Sequence, residues 1–289
     1  MSTLRWSYAL NQWRPTYDSF VRPEQHERAF KTLSAAGFRA VEISCGPGRW
    51  EPLGNREMIE LNHGSVAGLR RFLAGCGIEA VSSYFLDPGA FLSARTNAPL
   101  SPAEVADHAQ IAALAGEYLE LLPALGGNRL IVKAAPAFWR APDGAERLID
   151  TLAGCWNRIG ALAASHGVRI GLHLDCLACI RTPAAIERLL QQTDAASVGL
   201  AIDTAEFAIA GLDPLALWQA FPQRVVHWQL KDTPYMDELQ EYRLPNAEFA
   251  MMSAGGRREI APRREAFTVG RPRWPGSARR SRRRQGPRA

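Results

Sequence analysis

The chain has no apolar run of the ~18 residues that a membrane-crossing helix needs. Its opening, Met-Ser-Thr-Leu-Arg-Trp-Ser, has no signal-peptide core. Neither a membrane role nor export is expected, and a reducing cytoplasm is the expected location. Cysteine is sparse and odd in number, five in 289 residues (Cys45, Cys76, Cys155, Cys176 and Cys179). That argues against a disulfide framework. Cys176-Leu-Ala-Cys179 has the CxxC spacing, but no second pair exists to complete a zinc site. Glycine is missing where an open doubly wound sheet would place its phosphate turn. After the first apolar segment the chain reads Leu10-Asn-Gln-Trp13-Arg-Pro.

Acidic residues are scarce only toward the end. Residues 246–289 hold 12 of the 34 Lys+Arg but 3 of the 29 Asp+Glu, so residues 1–245, with 22 basic and 26 acidic, are mildly acidic. The net charge of +5 therefore belongs to the tail and is no sign of a nucleic-acid face on the body. Residues 1–245 are expected to form one domain. Residues 246–289 are expected to be a basic, low-complexity, disordered tail, and they read as a degraded or frame-shifted end.

The body, in a chain that is 47% hydrophobic, alternates strand and helix signals regularly. Strands are expected at 4–10, 39–44, 78–85, 129–134, 168–174, 198–202 and 225–230. Helices are expected at 25–36, stopped by Gly37, at 64–76, at 143–166 and at 214–221. Ser101-Pro-Ala-Glu104 reads as a capping box opening a helix to about residue 125, and Thr182-Pro-Ala-Ala as another capped start. Repeated βα units imply a parallel sheet, and their number favours closure. The expected fold is an α/β TIM-type (β/α)8 barrel with an incomplete or degraded eighth βα unit, for which 265–269 is the one weak strand candidate.

Side chains on a strand alternate faces, so residues two apart point the same way. Gly171, His173 and Asp175 then share a face, as do His227, Gln229 and Lys231, and Ile131 and Lys133. Glu42 sits near the end of the second strand and Asp203 ends the sixth. Turned inward at the C-terminal rim, these groups make one polar mouth. Carboxylate, imidazole and amide oxygen together suit a divalent cation of the Mn/Mg/Co/Zn group. Blander readings stay open: a lone strand His is commonly structural, Lys133 and Glu42 would form an interior salt bridge, and Asp203-Thr204 would cap a helix.

The segments Gly-Val-Arg-Ile-Gly-Leu-His173-Leu-Asp175, Val-Gly-Leu-Ala-Ile-Asp203-Thr-Ala-Glu206 and Arg-Val-Val-His227-Trp-Gln229-Leu-Lys231-Asp resemble the sugar phosphate isomerase/epimerase family. Those proteins have a xylose-isomerase-like TIM barrel and include inosose dehydratases and ketose epimerases. The likeness covers roughly residues 4–235. It implies one divalent metal held at the ends of strands five to eight. Asp203 matches the strand-six aspartate. Glu206 stands where a substrate-contacting His is common, Gln229 replaces a ligating His, and His173 replaces the strand-five glutamate, with Asp175 close by. The strand-eight glutamate has no match.

The resemblance implies His173, Asp175, Asp203 and Gln229 as the metal set, His173, Glu206 and Lys133 as catalytic groups, and Glu42, His227, Lys231 and Trp13 as substrate contacts. It implies an isomerase, epimerase or dehydratase acting on a sugar, sugar phosphate or cyclitol through an enediolate-type intermediate. With both customary carboxylates displaced, a single-base elimination of water fits slightly better than a two-base scheme. The alternative is a catalytically impaired barrel or sugar-binding module. A missing eighth strand would leave open edges that invite a homo-oligomer. Apurinic endonucleases share the barrel, but six scattered histidines do not supply their metal cluster, so specific nucleic-acid binding is not expected.

Overall fold

The computed structural model describes residues 6–13, 23–48, 50–142, 145–233, 236–245 and 247. Seven strands, β1 (Ser7–Ala9), β2 (Ala40–Ser44), β3 (Ala80–Leu86), β4 (Arg129–Lys133), β5 (Arg169–His173), β6 (Val198–Asp203) and β7 (Val225–Gln229), pair in chain order, all parallel. The helices are α1 (Pro23–Ala35), α2 (Glu51–Gly54), α3 (Arg56–His63), α4 (Val66–Gly75), α5 (His108–Ala124), α6 (Ala145–Ser165), α7 (Pro183–Gln192), α8 (Thr204–Ile209) and α9 (Pro214–Ala220).

The strands divide their residues between two faces. Leu130, Val132, Ile170, Leu172, Leu200 and Ile202 are fully buried in the main core. Each such side chain contributes ~1.5–3 kcal/mol on burial. The alternate residues, 129, 131 and 133, then 169, 171 and 173, then 199, 201 and 203, line the inside of the curl. The interior is tight at mid-height. A Cβ on Gly171 would lie 2.8 Å from Ile131 and 3.1 Å from Ala201, and one on Gly199 would lie 2.4 Å from the Arg224 carbonyl and from Val226. These two glycines make room for β7, whose pairing with β6 is irregular at Leu200/Ala201.

The sheet curls far enough for distant strands to meet across its inside. Gln229 Nε2 on β7 donates to Glu42 Oε1 on β2 at 2.6 Å, and Arg129 Nε on β4 donates to the Val226 carbonyl on β7 at 3.2 Å. The strand proposed at 265–269 and nearly all of the expected tail lie outside the described residues.

Capping explains most helix starts. Thr182 Oγ1 accepts from the Ala185 N–H ahead of Pro183, and Ser65 Oγ from the Gly68 N–H. Gly37, at φ 96°, ends the first helical unit as expected. The capping box at Ser101 is a correction: that segment forms a turn and then a 3-10 helix at Val105–Asp107, and α5 begins only at His108. The buried Asp107 accepts from Ser93 Oγ at 3.0 Å and from the Ser101 N–H at 3.2 Å, which ties Ser101 to the residue just ahead of α5. Helices α2 and α3 were not anticipated, and the helix that Asp203-Thr204 was read as able to cap is the short α8.

Beyond β7 the chain folds back. The Asp237 N–H donates to the Ile209 carbonyl at 2.9 Å. Arg181 pairs with Asp237 at 3.0 Å and lies 3.8 Å over the Tyr242 ring, which meets Phe138 edge-on at 5.1 Å. This strap ties together the segments that follow β4, β5 and β6.

Candidate active site

The C-terminal ends of the strands carry three linked clusters, two of them centred on carboxylates. Asp203 ends β6 and is fully buried. Its Oδ1 accepts from the backbone N–H groups of Ala205 and Glu206 at 3.1 and 3.2 Å, so it is the N-cap of α8. Its Oδ2 faces Lys231 Nζ at 2.5 Å and His173 Nε2 at 3.4 Å. Burial would raise this carboxyl, but the Lys231 ammonium and His173 outweigh it and hold it far below the usual carboxylate range. The helix cap that the sequence left open is made by the same carboxylate that meets Lys231 and His173.

Glu42 is the second centre. Its Oε2 accepts from Ser83 Oγ at 2.8 Å and meets His227 Nε2 at 3.1 Å, while Oε1 accepts from Gln229 at 2.6 Å. Burial pushes Glu42 up, but the bonds from His227 and Ser83, with Lys231 nearby, hold it below the ordinary value. The third cluster is Lys133, 3.1 Å from Asp175 and 3.5 Å from Asp87. The Lys133–Glu42 salt bridge that the sequence left open is thus replaced by other pairs. Lys133 lies two strands away from β2 and reaches the rim carboxylates beside it, while Glu42 is taken by β7.

The structure brings His173, Asp203 and Lys231 together, Glu42, His227 and Gln229 together, and Asp175 with Lys133. His173 also packs edge-on against Phe85 at 5.1 Å. Glu206 is buried, and one of its oxygens accepts from the Cys176 N–H at 3.0 Å, holding the segment after β5. Trp13 follows a turn at Leu10–Gln12, half-buried and edge-on to Tyr8 at 6.5 Å. Ser83, Phe85 and Asp87 were missed. They alternate along β3 and just past it, and the two-residue periodicity that singled out β5 and β7 would have found them. Burial pushes the Cys179 thiol up to about 12, which fits the dismissal of the CxxC pair.

Among the described residues no three His, Cys, Asp or Glu side chains converge as a metal cluster. Two buried atoms at the mouth, His173 Nδ1 and Gln229 Oε1, have no hydrogen-bond partner. Beside the mouth lies a cavity of about 680 Å³ that shares Asp87 and Lys133 with it. That volume lies within the range of small-molecule sites.

Residues 30–255 match the profile of the xylose isomerase-like TIM barrel family. The chain belongs to that family. Among curated relatives, an inosose dehydratase of Lactiplantibacillus plantarum is 27% identical over 235 residues, covering 79% of this chain and 70% of the relative. One from Geobacillus thermodenitrificans is 35% identical over 97 residues, 34% of this chain and 33% of the relative. A Bacillus cereus relative is likewise covered over 33% of its length, so the chain spans about a third of these Bacillus and Geobacillus relatives.

Solved structures of the xylose isomerase-like fold agree with the architecture. The IolI protein with a bound zinc atom superimposes with a TM-score of 0.59 at 14% identity, covering 92% of this chain and all of that one. A D-allulose 3-epimerase from Methylomonas sp. in complex with D-allulose gives 0.58 at 17% identity, covering 78% and 71%. At such identities the likeness shows the fold alone. No helix among the described residues is long and apolar enough to cross a membrane.

Proposed function

We propose that this chain is a dehydratase, isomerase or epimerase acting on a polyhydroxy ketone, a sugar or a cyclitol, by moving a proton next to a carbonyl. The observation that carries the reading is Asp203. It is a fully buried carboxylate kept ionised at the end of β6, with one oxygen fixed by a helix start and the other turned to Lys231 and His173. Carboxylates are held that way where charge must be balanced.

The donors fit a divalent ion of the Mn/Mg/Co/Zn group. Asp203, His173 and the uncommitted Gln229 Oε1 offer a carboxylate, an imidazole and an amide oxygen from adjoining strand ends. Asp175 is less available because its carboxylate is bonded to Lys133 and to the Leu177 N–H. When bound, such an ion polarises a substrate oxygen. Asp203, which would help to hold such an ion, has its Oδ2 bonded to the Lys231 ammonium. Zinc in the IolI neighbour supports the same expectation.

The remaining roles follow from what each side chain touches. Lys133, fixed between Asp87 and Asp175, and Lys231, fixed by Asp203, present ammonium hydrogens to substrate oxygens and stabilise developing negative charge. The proton is moved by Glu206, whose carboxylate also accepts from the Cys176 N–H, or by His173 where Asp203 and Gln229 hold the ion. Glu42 and His227 bind substrate hydroxyls, with Trp13 as an apolar contact at the rim. Elimination of water needs one such base and fits this asymmetric set better than a two-base epimerisation, in keeping with the inosose dehydratase relatives.

The test is to incubate the full chain with cyclitol ketones and ketohexoses in D₂O, with each metal at millimolar concentration, and to follow deuterium uptake and loss of water to a deoxy 1,2-diketone by NMR. Diketone from a cyclitol ketone, formed through its enol and lost in Asp203→Asn, is expected. No exchange and no product from any polyhydroxy ketone, together with an unmoved Tm on adding every metal, refutes the reading.

A further inference from the structure

The opposite, N-terminal end of the barrel carries a concentration of positive charge that the mouth does not use. Arg129 and Arg169 open β4 and β5 and are direct register partners. They lie on the same inward faces as Lys133 and His173, four residues earlier. Arg129 reaches across the interior to the Val226 carbonyl. Arg169 Nη2 donates to the carbonyls of Ala195 at 2.6 Å and Gln223 at 3.4 Å. Arg224, just ahead of β7, donates to the carbonyls of Leu190, Thr193 and Val198 and to Thr193 Oγ1.

Every one of these acceptors is neutral. Among the described residues no carboxylate pairs with any of the three guanidinium groups. Asp194 is the nearest acid to act on Arg224, but it is exposed, and its oxygens are spent on Ser197 and on the Ala196 and Ser197 N–H groups. Nε of Arg169 and Nε of Arg224 are buried with no partner. Arg169 Nη1 and Arg129 Nη2 donate to no protein acceptor among the described residues. Burial and the charge of Arg169 push both Arg129 and Arg224 down.

Like charges directly opposite on a sheet repel. A part-buried cation without a counter-charge is costly, and carbonyl dipoles offset only part of that cost. Arg169 Nη1 and Arg129 Nη2, on neighbouring strands, leave one donor edge each, and such edges suit the oxygens of a tetrahedral dianion.

We infer that the N-terminal end of the barrel is an oxyanion site in which a phosphate-type dianion, free or as a monoester, bridges Arg129 and Arg169 with Arg224 at its flank. The bound anion supplies the negative charge that, among the described residues, only the exposed Asp194 provides there. It lies at the end of the barrel away from the catalytic mouth, so its occupancy is separable from turnover.

The test replaces chloride with inorganic phosphate at constant ionic strength and pH 7 while thermal unfolding of the full chain is followed. The expected result is a saturable rise in Tm of about 3–6 °C. Glycerol phosphate gives the same direction if monoesters enter, and acetate gives no rise. Arg169→Gln flattens the response and, in chloride alone, is at least as stable as the parent because one of two facing charges is gone. Lys133→Gln keeps the full response. A flat response in the parent, an undiminished one in Arg169→Gln, or its loss in Lys133→Gln overturns the assignment. Arg169→Lys provides a second reading if Arg169→Gln does not fold. It keeps the charge and loses the fork, and phosphate affinity by ³¹P titration falls at least fivefold; equal affinity overturns the site.

Discussion

Removing the Lys231 ammonium tests the central claim about Asp203. Lys231→Met keeps the side-chain length and deletes the charge 2.5 Å from a carboxylate that is fully buried, on a lysine side chain only 9% exposed. At that separation and an effective dielectric of ~20 the attraction is about 6–7 kcal/mol before desolvation is subtracted. Breaking a buried pair from one side typically costs ~3–5 kcal/mol, because the remaining charge stays buried. A loss of that size is a large fraction of the ~5–15 kcal/mol that holds a domain together. Urea unfolding reads it as a lower midpoint at unchanged slope. Asp203→Asn retains a helix cap, since Asn accepts at that position as Asp does. The double variant Asp203→Asn/Lys231→Met therefore recovers most of the loss, and the cycle isolates the pair. A loss under ~1 kcal/mol in Lys231→Met, with no recovery in the double variant, would mean that solvent screens the pair. Asp203 would then not be a carboxylate held for chemistry.

Three further outcomes are expected. His26 is buried against Trp50, with ring centroids 5.4 Å apart, and burial followed by His63 lowers its pKa to about 4. Its folded value lies below the unfolded ~6.5, so stability is full above pH 6.5 and is lost, by on the order of 3 kcal/mol, as pH falls toward 4. In His26→Phe the urea midpoint loses that slope; an unchanged slope sinks the argument. Gly199→Ala places a methyl 2.4 Å from backbone and Val226, and a loss of ~1–3 kcal/mol is expected by thermal unfolding. All five thiols are buried, with Cys155 and Cys179 pushed up to about 12, so a thiol reagent at pH 8 labels the native chain far more slowly than the urea-unfolded one.

The strands were legible because their signals are local. The expected sixth strand, 198–202, differs from β6 by one residue, and Asp203 is that residue. The rim positions followed from two-residue alternation alone. What sequence could not show is who meets whom across the curl. Glu42 is 187 residues from Gln229, and the pairing depends on the irregularity at Leu200/Ala201 that turns β7 inward. The open alternative of a Lys133–Glu42 pair fails for the same reason, since spacing ranks neither distance nor direction around a curled sheet. The false capping box failed locally, because Asp107 draws Ser93 and the Ser101 N–H toward itself. Short α8 was legible only through its cap, Asp203, because six residues span too few turns to display a period.

Asp203 joins the mouth to the outer strap. Its Oδ1 fixes the first turn of α8 while its Oδ2 holds the Lys231 ammonium. The far end of that helix presents the Ile209 carbonyl to Asp237, and through Arg181 and Tyr242 to the strap. One side chain thus anchors both a buried charge pair and the helix that leads to the clasp.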